Sequence, residues 1–184
     1  MKRCFDVTIS LLAIISLFPI CIMISFFMSV YDPGPIFYRQ RRVGRKGILF
    51  NMFKFRSMRV DADQIGPHFT SANDPRITKV GRFLRKTSLD ELPQLLNVVL
   101  GDMSIVGPRP NVAAQSTEYS VESWEKRNLV RPGITGLAQA TVRSEATPQQ
   151  RELLDLEYVD NANFILDMKI ILKTAKQVLT KGGN

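Results

Sequence analysis

The first thirty residues contain the feature that most restricts how this chain can fold. From Val7 to Val30 the sequence has 24 residues without a charged side chain. As one straight helix this segment would be roughly 36 Å long, enough to cross the hydrocarbon core of a bilayer. A secretory signal peptide is a poor explanation, because the run is too long and no small-x-small cleavage site follows it. A spanning anchor, a buried core helix and a helix that enters the membrane and turns back remain.

A proline near the centre of this segment favours the last alternative over a simple kinked anchor. Pro19 lacks a backbone N–H and its ring clashes with the preceding turn, so it predicts a kink, with Ser16 placed to bond the backbone groups left free. Each half, of about 12 residues, is too short to cross alone. Lys2 and Arg3 precede the segment and a basic cluster at 39–46 follows it. A re-entrant helix keeps both basic flanks on the cytoplasmic face.

We therefore predict a re-entrant membrane helix over residues 1–31 and one compact domain over residues 32–184. Both cysteines, Cys4 and Cys21, lie in the apolar segment, so no disulfide framework is expected. With His68 as the single histidine, a metal would be a hard cation held by carboxylates and phosphate oxygens. The net charge of +8 predicts an anionic partner such as nucleic acid, acidic lipid or a nucleotide diphosphate.

Hydrophobic periodicity predicts a mainly α-helical fold with a short β-hairpin. The predicted elements are strands at 36–38 and 48–50 around a basic tip at 41–47, a loop at 61–74, helices at 76–86 and 92–100, and an amphipathic basic helix from Phe164. We expect this last helix to pack on the core rather than lie on the membrane surface. Lys54 and Arg56 alternate with aromatic residues, which fits either phosphate binding or a strand with one solvated face.

The pair Asp90-Glu91 has two explanations at the level of residues. Ser88-x-x-Glu91 matches a capping box, in which the two side chains satisfy backbone donors at a helix start. Cations surround the pair, however, with Arg85 upstream and Arg109 held between two prolines downstream. Arginine donors match phosphate oxygens, so this pattern favours a phosphate site. An ionised carboxylate there can attack phosphorus, with Mg²⁺ offsetting the repulsion, or the pair can serve only to hold the metal.

Four stretches of the chain resemble the bacterial sugar transferases, the monotopic phosphoglycosyl transferases. They are YRQ at 38–40 running through KFRSM at 54–58, KTSLDELPQLLNV at 86–98, GDMSIVGPRP at 101–110 and RPGITG at 131–136. The resemblance implies a re-entrant membrane helix followed by a mostly helical catalytic domain with interfacial amphipathic helices, at the cytoplasmic face of the bacterial inner membrane. It implies a UDP-sugar donor, a polyprenol (undecaprenyl) phosphate acceptor, contact with anionic membrane lipid, and no nucleic acid.

The resemblance also implies a role for each site residue. Asp90 would attack the sugar-linked phosphorus, releasing UMP and leaving an aspartyl-phosphosugar that polyprenol phosphate then takes up. Glu91 would act with Asp90 near Mg²⁺, as a metal ligand, a proton acceptor or both. Arg85 and Arg109, and with them Lys54 and Arg56, would bind phosphate or substrate. The reaction would initiate synthesis of a capsule, O-antigen, exopolysaccharide or glycoprotein glycan.

Two departures from the family pattern stand out. Phe18 replaces the serine that commonly precedes the membrane proline, and residues 137–143 lack the usual aromatic residue and Asn/Ser-Gly-Arg tail. The sugar stays open among glucose, galactose and N-acetylated hexosamines, with the short length favouring the last. Direct transfer in a ternary complex, a non-catalytic basic membrane module and nucleic-acid binding are the competing hypotheses.

Overall fold

Helices dominate the computed structural model, which describes residues 1–66, 74–142 and 147–181. The helices are α1 (Lys2–Tyr31), α2 (Ala62–Ile65), α3 (Lys79–Lys86), α4 (Gln94–Leu100), α5 (Val121–Arg127), α6 (Leu137–Thr141), α7 (Pro148–Asn161) and α8 (Phe164–Lys181). The strands are β1 (Phe37–Val43), β2 (Leu49–Phe55), β3 (Ser104–Val106) and β4 (Gly133–Thr135). Strands β1 and β2 form an antiparallel hairpin, and β3 and β4 form a short parallel pair. The predicted mainly helical fold with a short hairpin is confirmed.

Helix α1 contains the uncharged segment as one helix of 30 residues with Pro19 inside it. It is long and apolar enough to cross a membrane by length and composition, and only 11% of its most apolar stretch is buried. Ile15 is 71% exposed and Phe18 is 59% exposed. Because Pro19 has no N–H, the backbone carbonyl of residue 15, four positions before it, has no helical donor. The hydroxyl of Ser16 donates instead to the carbonyl of Ala13. The predicted use of Ser16 is therefore not what the structure shows.

The amino-terminal end of α1 is bonded to the rest of the chain. Arg3 donates to the carbonyl of Val98, 2.6 Å away, at the carboxy-terminal end of α4, where a cation is favoured. Asp6 is only 3% exposed. Its carboxylate accepts a hydrogen bond of 2.8 Å from the hydroxyl of Ser104 in β3. These charged groups would be costly to bury without partners, so they fix this end of α1 against α4 and β3.

The carboxy-terminal end of α1 is held as firmly. Ile24 and Met28 form a buried cluster with Phe55 of β2 and Leu84 of α3. One turn further on, the carboxylate of Asp32 forms an ion pair with the guanidinium of Arg56 at 3.0 Å. Arg56 is only 5% exposed. Both ends of the apolar helix thus pack against the same body, and the central turns between them expose large apolar side chains.

The hairpin is longer than the sequence pattern predicted. Its ladder runs from Phe37↔Phe55 to Val43↔Leu49. The predicted tip began at Arg41, but Arg41 and Arg42 continue strand β1, and the chain reverses only at 44–48. The apolar triplets at 36–38 and 48–50 marked only part of each strand. The rest of each strand contains polar residues, because successive side chains of a strand point to opposite faces.

The helices flanking the Asp90-Glu91 pair differ from prediction at their starts. Helix α3 begins at Lys79 rather than at 76, because the Thr78 side chain caps it by accepting from the amide of Gly81. Helix α4 begins at Gln94 rather than at 92, since a 3₁₀ turn over Leu89–Glu91 comes first. Gly101, with φ of 101°, ends α4 in the left-handed conformation that a terminal glycine adopts readily.

The structure differs in part from the predicted loop at 61–74 and agrees with the predicted carboxy-terminal helix. The stretch 61–74, predicted as loop, contains the one-turn helix α2, and its residues 67–73 lie outside the described part of the chain. The carboxy-terminal helix forms as α8, and its expected packing on the core is confirmed. Asp167 and Ile170 are each 2% exposed, and Ile170 packs in a buried cluster with Val106 and Tyr158.

Helix α3 packs closely against the backbone that follows β2. A Cβ added at Gly81 would lie 2.0 Å from the carbonyl oxygen of Ser57, so Gly81→Ala must push the helix away. Such overpacking costs about 1–3 kcal/mol. We expect the detergent-solubilised variant to unfold at a lower temperature, by roughly 2–4 °C per kcal/mol. Lys79→Ala changes an exposed position of the same helix and should leave the midpoint in place. An unchanged midpoint for Gly81→Ala would contradict the packing.

Candidate active site

A cavity of about 670 Å³ lies between the hairpin, α3, the 3₁₀ turn before α4 and the loop after β3. All six sequence-predicted site residues outside the membrane helix line it: Lys54, Arg56, Arg85, Asp90, Glu91 and Arg109. Pro19, the predicted kink residue, lies inside α1. The fold therefore brings basic groups from three separate parts of the chain into the cavity that contains the Asp90-Glu91 pair.

The carboxylate of Glu91 is the meeting point of these charges. Its oxygen Oε1 accepts a hydrogen bond of 2.9 Å from Nζ of Lys54 and one of 2.8 Å from Nη2 of Arg109. Burial by itself would raise the pKa of Glu91, but the attraction and hydrogen bonds of Arg109 and Lys54 outweigh it, and the pKa lies below its usual range. Glu91 therefore stays ionised and holds two cations from distant parts of the chain in place.

Asp90 has a different environment although it is the next residue. It is 5% exposed, and its carboxylate forms no hydrogen bond or ion pair with the residues that the structure describes. Burial raises the pKa of Asp90, and the negative charge of Glu91 raises it further, against the opposing attraction of Lys54, Arg85 and Arg109. The surrounding cations by themselves would lower this pKa. An unpaired carboxylate directed into a cavity is free to contact a substrate.

The backbone bends sharply just before the pair. Ser88 adopts a left-handed conformation with φ of 57°, which is uncommon for a residue other than glycine. This bend separates α3 from the 3₁₀ turn that contains Asp90 and Glu91. The side chain of Ser88 caps no backbone donor. The capping box is therefore not formed, because Glu91 pairs with Lys54 and Arg109 instead.

The two other predicted arginines, Arg85 and Arg56, differ in how many hydrogen bonds they already make. Nε of Arg85 donates to the hydroxyl of Ser57 at 2.8 Å, and burial lowers the pKa of Arg85. Arg56 lines the cavity, but its guanidinium donates to the carbonyl of Pro35 and to Asp32. Arg56 thus ties the end of α1 to the hairpin, and Arg85 is the better placed of the two to meet a phosphate.

The loop that presents Arg109 is supported from behind. Arg127 of α5, which is 2% exposed, donates to the carbonyl oxygen of Arg109 and pairs at 2.9 Å with Asp155 of α7. A Cβ at Gly107 would lie 2.3 Å from the carbonyl oxygen of Arg131. Two helices and the β4 segment therefore fix the backbone from which Arg109 reaches Glu91.

Several cavity residues were missed at the level of sequence. Tyr38, Gln40 and Arg42 share the face of the hairpin that also presents Lys54, and all four line the cavity. Their two-residue spacing was the available signal. Asn111 and Gln139 line it too, and each has a buried side-chain atom without a hydrogen-bond partner among the described residues. No spacing rule marks these two, because the fold alone brings them there.

The described residues contain no group of three or more His, Cys, Asp or Glu side chains that could enclose a metal ion. Asp90 and Glu91 nevertheless fit Mg²⁺, which is usually held by one or two carboxylates together with substrate phosphates. Both cations of the cluster contact Oε1 of Glu91. The carboxylate of Asp90 and the second oxygen of Glu91 take no part in those bonds.

This chain is similar to several named proteins from bacteria. It is 44% identical over 187 residues to the UDP-glucose:undecaprenyl-phosphate glucose-1-phosphate transferase of Xanthomonas campestris pv. campestris, covering 97% of this chain and 38% of that protein. It is 40% identical over 198 residues to the undecaprenyl-phosphate galactose phosphotransferase of Salmonella typhimurium, covering 100% of this chain and 41% of that protein. The chain therefore spans about two fifths of these two relatives.

A third relative is similar along nearly its whole length. The exopolysaccharide production protein PSS of Rhizobium leguminosarum bv. phaseoli is 40% identical over 193 residues, covering 99% of this chain and 96% of that protein. The family model described as bacterial sugar transferase matches residues 1–181. This range includes helix α1, the charged residues Lys54, Glu91 and Arg109, and helix α8. With this match and these identities, the chain belongs to the bacterial sugar transferase family.

Proposed function

We propose that this protein transfers a sugar 1-phosphate from a UDP-sugar to undecaprenyl phosphate through a covalent intermediate on Asp90. The observation that carries the proposal is the unpaired, buried carboxylate of Asp90 beside a Glu91 that holds Lys54 and Arg109. The relatives named for glucose and galactose transfer to undecaprenyl phosphate support the substrate classes. The relative that matches along nearly its whole length is named an exopolysaccharide production protein, which supports a role at the start of glycoconjugate synthesis.

The first step is a displacement at phosphorus. An oxygen of Asp90 forms a bond to the sugar-linked phosphorus of the UDP-sugar, the bond from that phosphorus to the bridging oxygen breaks, and UMP leaves. Burial removes water from the carboxylate, and Lys54, Arg85 and Arg109 offset the charge of the diphosphate. Bound Mg²⁺, held by Asp90 and Glu91 with phosphate oxygens, would neutralise further charge on the diphosphate.

The second step returns Asp90 to its starting state. A phosphate oxygen of the acceptor bonds to the phosphorus of the aspartyl-phosphosugar, and the bond from phosphorus to the Asp90 oxygen breaks. The product is the undecaprenyl diphosphate sugar, and Asp90 is again a carboxylate. Because a phosphate monoester has a second pKa of about 6, the acceptor reacts mainly as a dianion at neutral pH and no proton has to be removed.

The attachments of α1 support a proposal for how the protein sits in the membrane. A helix of 30 residues is about 45 Å long, yet Asp6 near its start and Met28 near its end both contact the same body. We propose that α1 enters the membrane from the cytoplasmic side and returns to it, with a kink at Pro19. Residues 1–31 then form the membrane segment, and residues 32–184 form the catalytic part on the cytoplasmic face of the plasma membrane, next to anionic lipid.

Isolation of the covalent intermediate tests the reaction. The purified protein, incubated with Mg²⁺ and a UDP-sugar labelled in its sugar-linked phosphate but without acceptor, should retain label and release UMP. A panel of UDP-glucose, UDP-galactose and N-acetylated UDP-hexosamines identifies the sugar. Asp90→Asn should lose the label and reduce turnover by at least ~10³-fold, because no nucleophile remains. Removal of Mg²⁺ with EDTA should prevent labelling, and added Mg²⁺ should restore it.

A matched carboxylate serves as the control for this experiment. Asp160 is a half-exposed residue of α7 that pairs with Lys126 and lies outside the cavity lining. Asp160→Asn should label and turn over at the rate of the unmodified protein. Full turnover without labelled protein would favour direct transfer in a ternary complex, and labelling that persists in EDTA would contradict the role of Mg²⁺.

The topology of α1 is tested by the positions of its two ends. With short epitope tags placed before Met1 and after Asn184, the re-entrant arrangement predicts that both are reached from the cytoplasmic side in inverted membrane vesicles. In intact spheroplasts both should be protected from added protease. A tag at Met1 that is cleaved in spheroplasts would show that α1 crosses the membrane.

A further inference from the structure

A second cavity, of about 320 Å³, lies beside the catalytic one. It is formed between the central turns of α1, the start of α4 and the carboxy-terminal half of α8. The apolar part of its lining consists of Ala13, Leu17, Leu92, Leu95, Ile134 and Val178. Its volume is at the lower end of the ~300–1,000 Å³ that small-molecule sites occupy. We call it the α1–α8 groove.

The groove changes character along its length. It adjoins the catalytic cavity at Ser88, Glu91, Arg109 and Gln139, which line both. Arg109 supplies a positive charge at this junction. Oε1 of Gln139 is buried there without a hydrogen-bond partner among the described residues, so a ligand hydroxyl would satisfy it. The groove is thus apolar over most of its lining and offers, at its junction with the catalytic cavity, groups that can bind a phosphate and a sugar.

The position of the groove on α1 connects it with the membrane. Ala13 and Leu17 line it within the uncharged segment, before Pro19. Leu12 and Ile15 belong to the same turns but are 59% and 71% exposed. Under the proposed membrane position, the outer face of these turns contacts lipid while the inner face forms a groove wall.

We propose that the α1–α8 groove binds the isoprenoid chain of the acceptor next to its phosphate. This inference rests on the proposed function, and it identifies where the lipid substrate enters. The phosphate lies at the junction near Arg109, and the first isoprene units lie between Leu17, Leu95 and Val178. The remaining chain extends from the groove into the bilayer beside α1. From this junction the acceptor phosphate can take the position that UMP leaves, in line with the bond from phosphorus to the Asp90 oxygen.

Filling the groove tests the proposal. Ala13→Phe and Val178→Phe place a ring in it from opposite walls, and each should raise the KM for undecaprenyl phosphate by ~10-fold or more. Labelling of the protein by the UDP-sugar without acceptor should stay at the unmodified rate, since that half-reaction does not use the groove. Leu12→Phe and Leu172→Phe introduce the same ring at exposed positions of the same two helices and should leave both values unchanged. An unchanged acceptor KM in both filled variants overturns the proposal.

A measurement without mutation separates this proposal from the proposed function. A polyprenyl phosphate carrying a diazirine on the isoprene unit nearest the phosphate, irradiated with the unmodified protein in nanodiscs, should crosslink to Leu92, Leu95 or Val178. Crosslinks confined to Leu12 and Ile15 on the outer face of α1 would overturn the groove. A protein that releases no UMP from any UDP-sugar would instead contradict the proposed function, and the crosslinking pattern would still decide whether the groove binds the lipid.

Discussion

A single carboxylate oxygen, Oε1 of Glu91, connects the parts of the protein that make up the candidate site. It binds Lys54 from the hairpin and Arg109 from the loop after β3; the side chains of Glu91 and Lys54 are largely buried, and that of Arg109 is partly buried. Burying one of these charges alone would be costly, so each depends on the others. Because Glu91 takes both cations, Asp90 is left without a partner among the described residues. The reactive character proposed for Asp90 is thus a consequence of how its neighbour is bonded.

The same arrangement places the site relative to α1. Arg56, which lines the cavity, also secures the end of α1 through Asp32, and Asp6 secures its start through Ser104. The exposed apolar turns between these two attachments face away from the body of the protein. The α1–α8 groove runs along their inner side and meets the catalytic cavity at Glu91 and Arg109. A water-soluble donor and a lipid acceptor can therefore approach one carboxylate by separate routes.

Sequence patterns predicted the features that depend on neighbouring residues. Periodicity predicted α3, α4 and α8, and Gly101 marked the end of α4. The capping box at Ser88 was wrong because a local rule cannot register that Lys54, 37 positions earlier, competes for Glu91. Gln139 and the support that Arg127 gives to Arg109 were missed for the same reason, since only the tertiary fold brings them to the site. The cations around Asp90 were visible in the sequence, but the burial that raises its pKa was not.

The configuration at phosphorus tests the central claim most directly. A UDP-sugar with a chiral phosphorothioate at the sugar-linked phosphorus allows the configuration of the lipid product to be compared with that of the donor. Each in-line displacement inverts phosphorus, so two displacements through Asp90 predict net retention. Net inversion would mean that the acceptor attacks the donor directly, and it would contradict a nucleophilic Asp90.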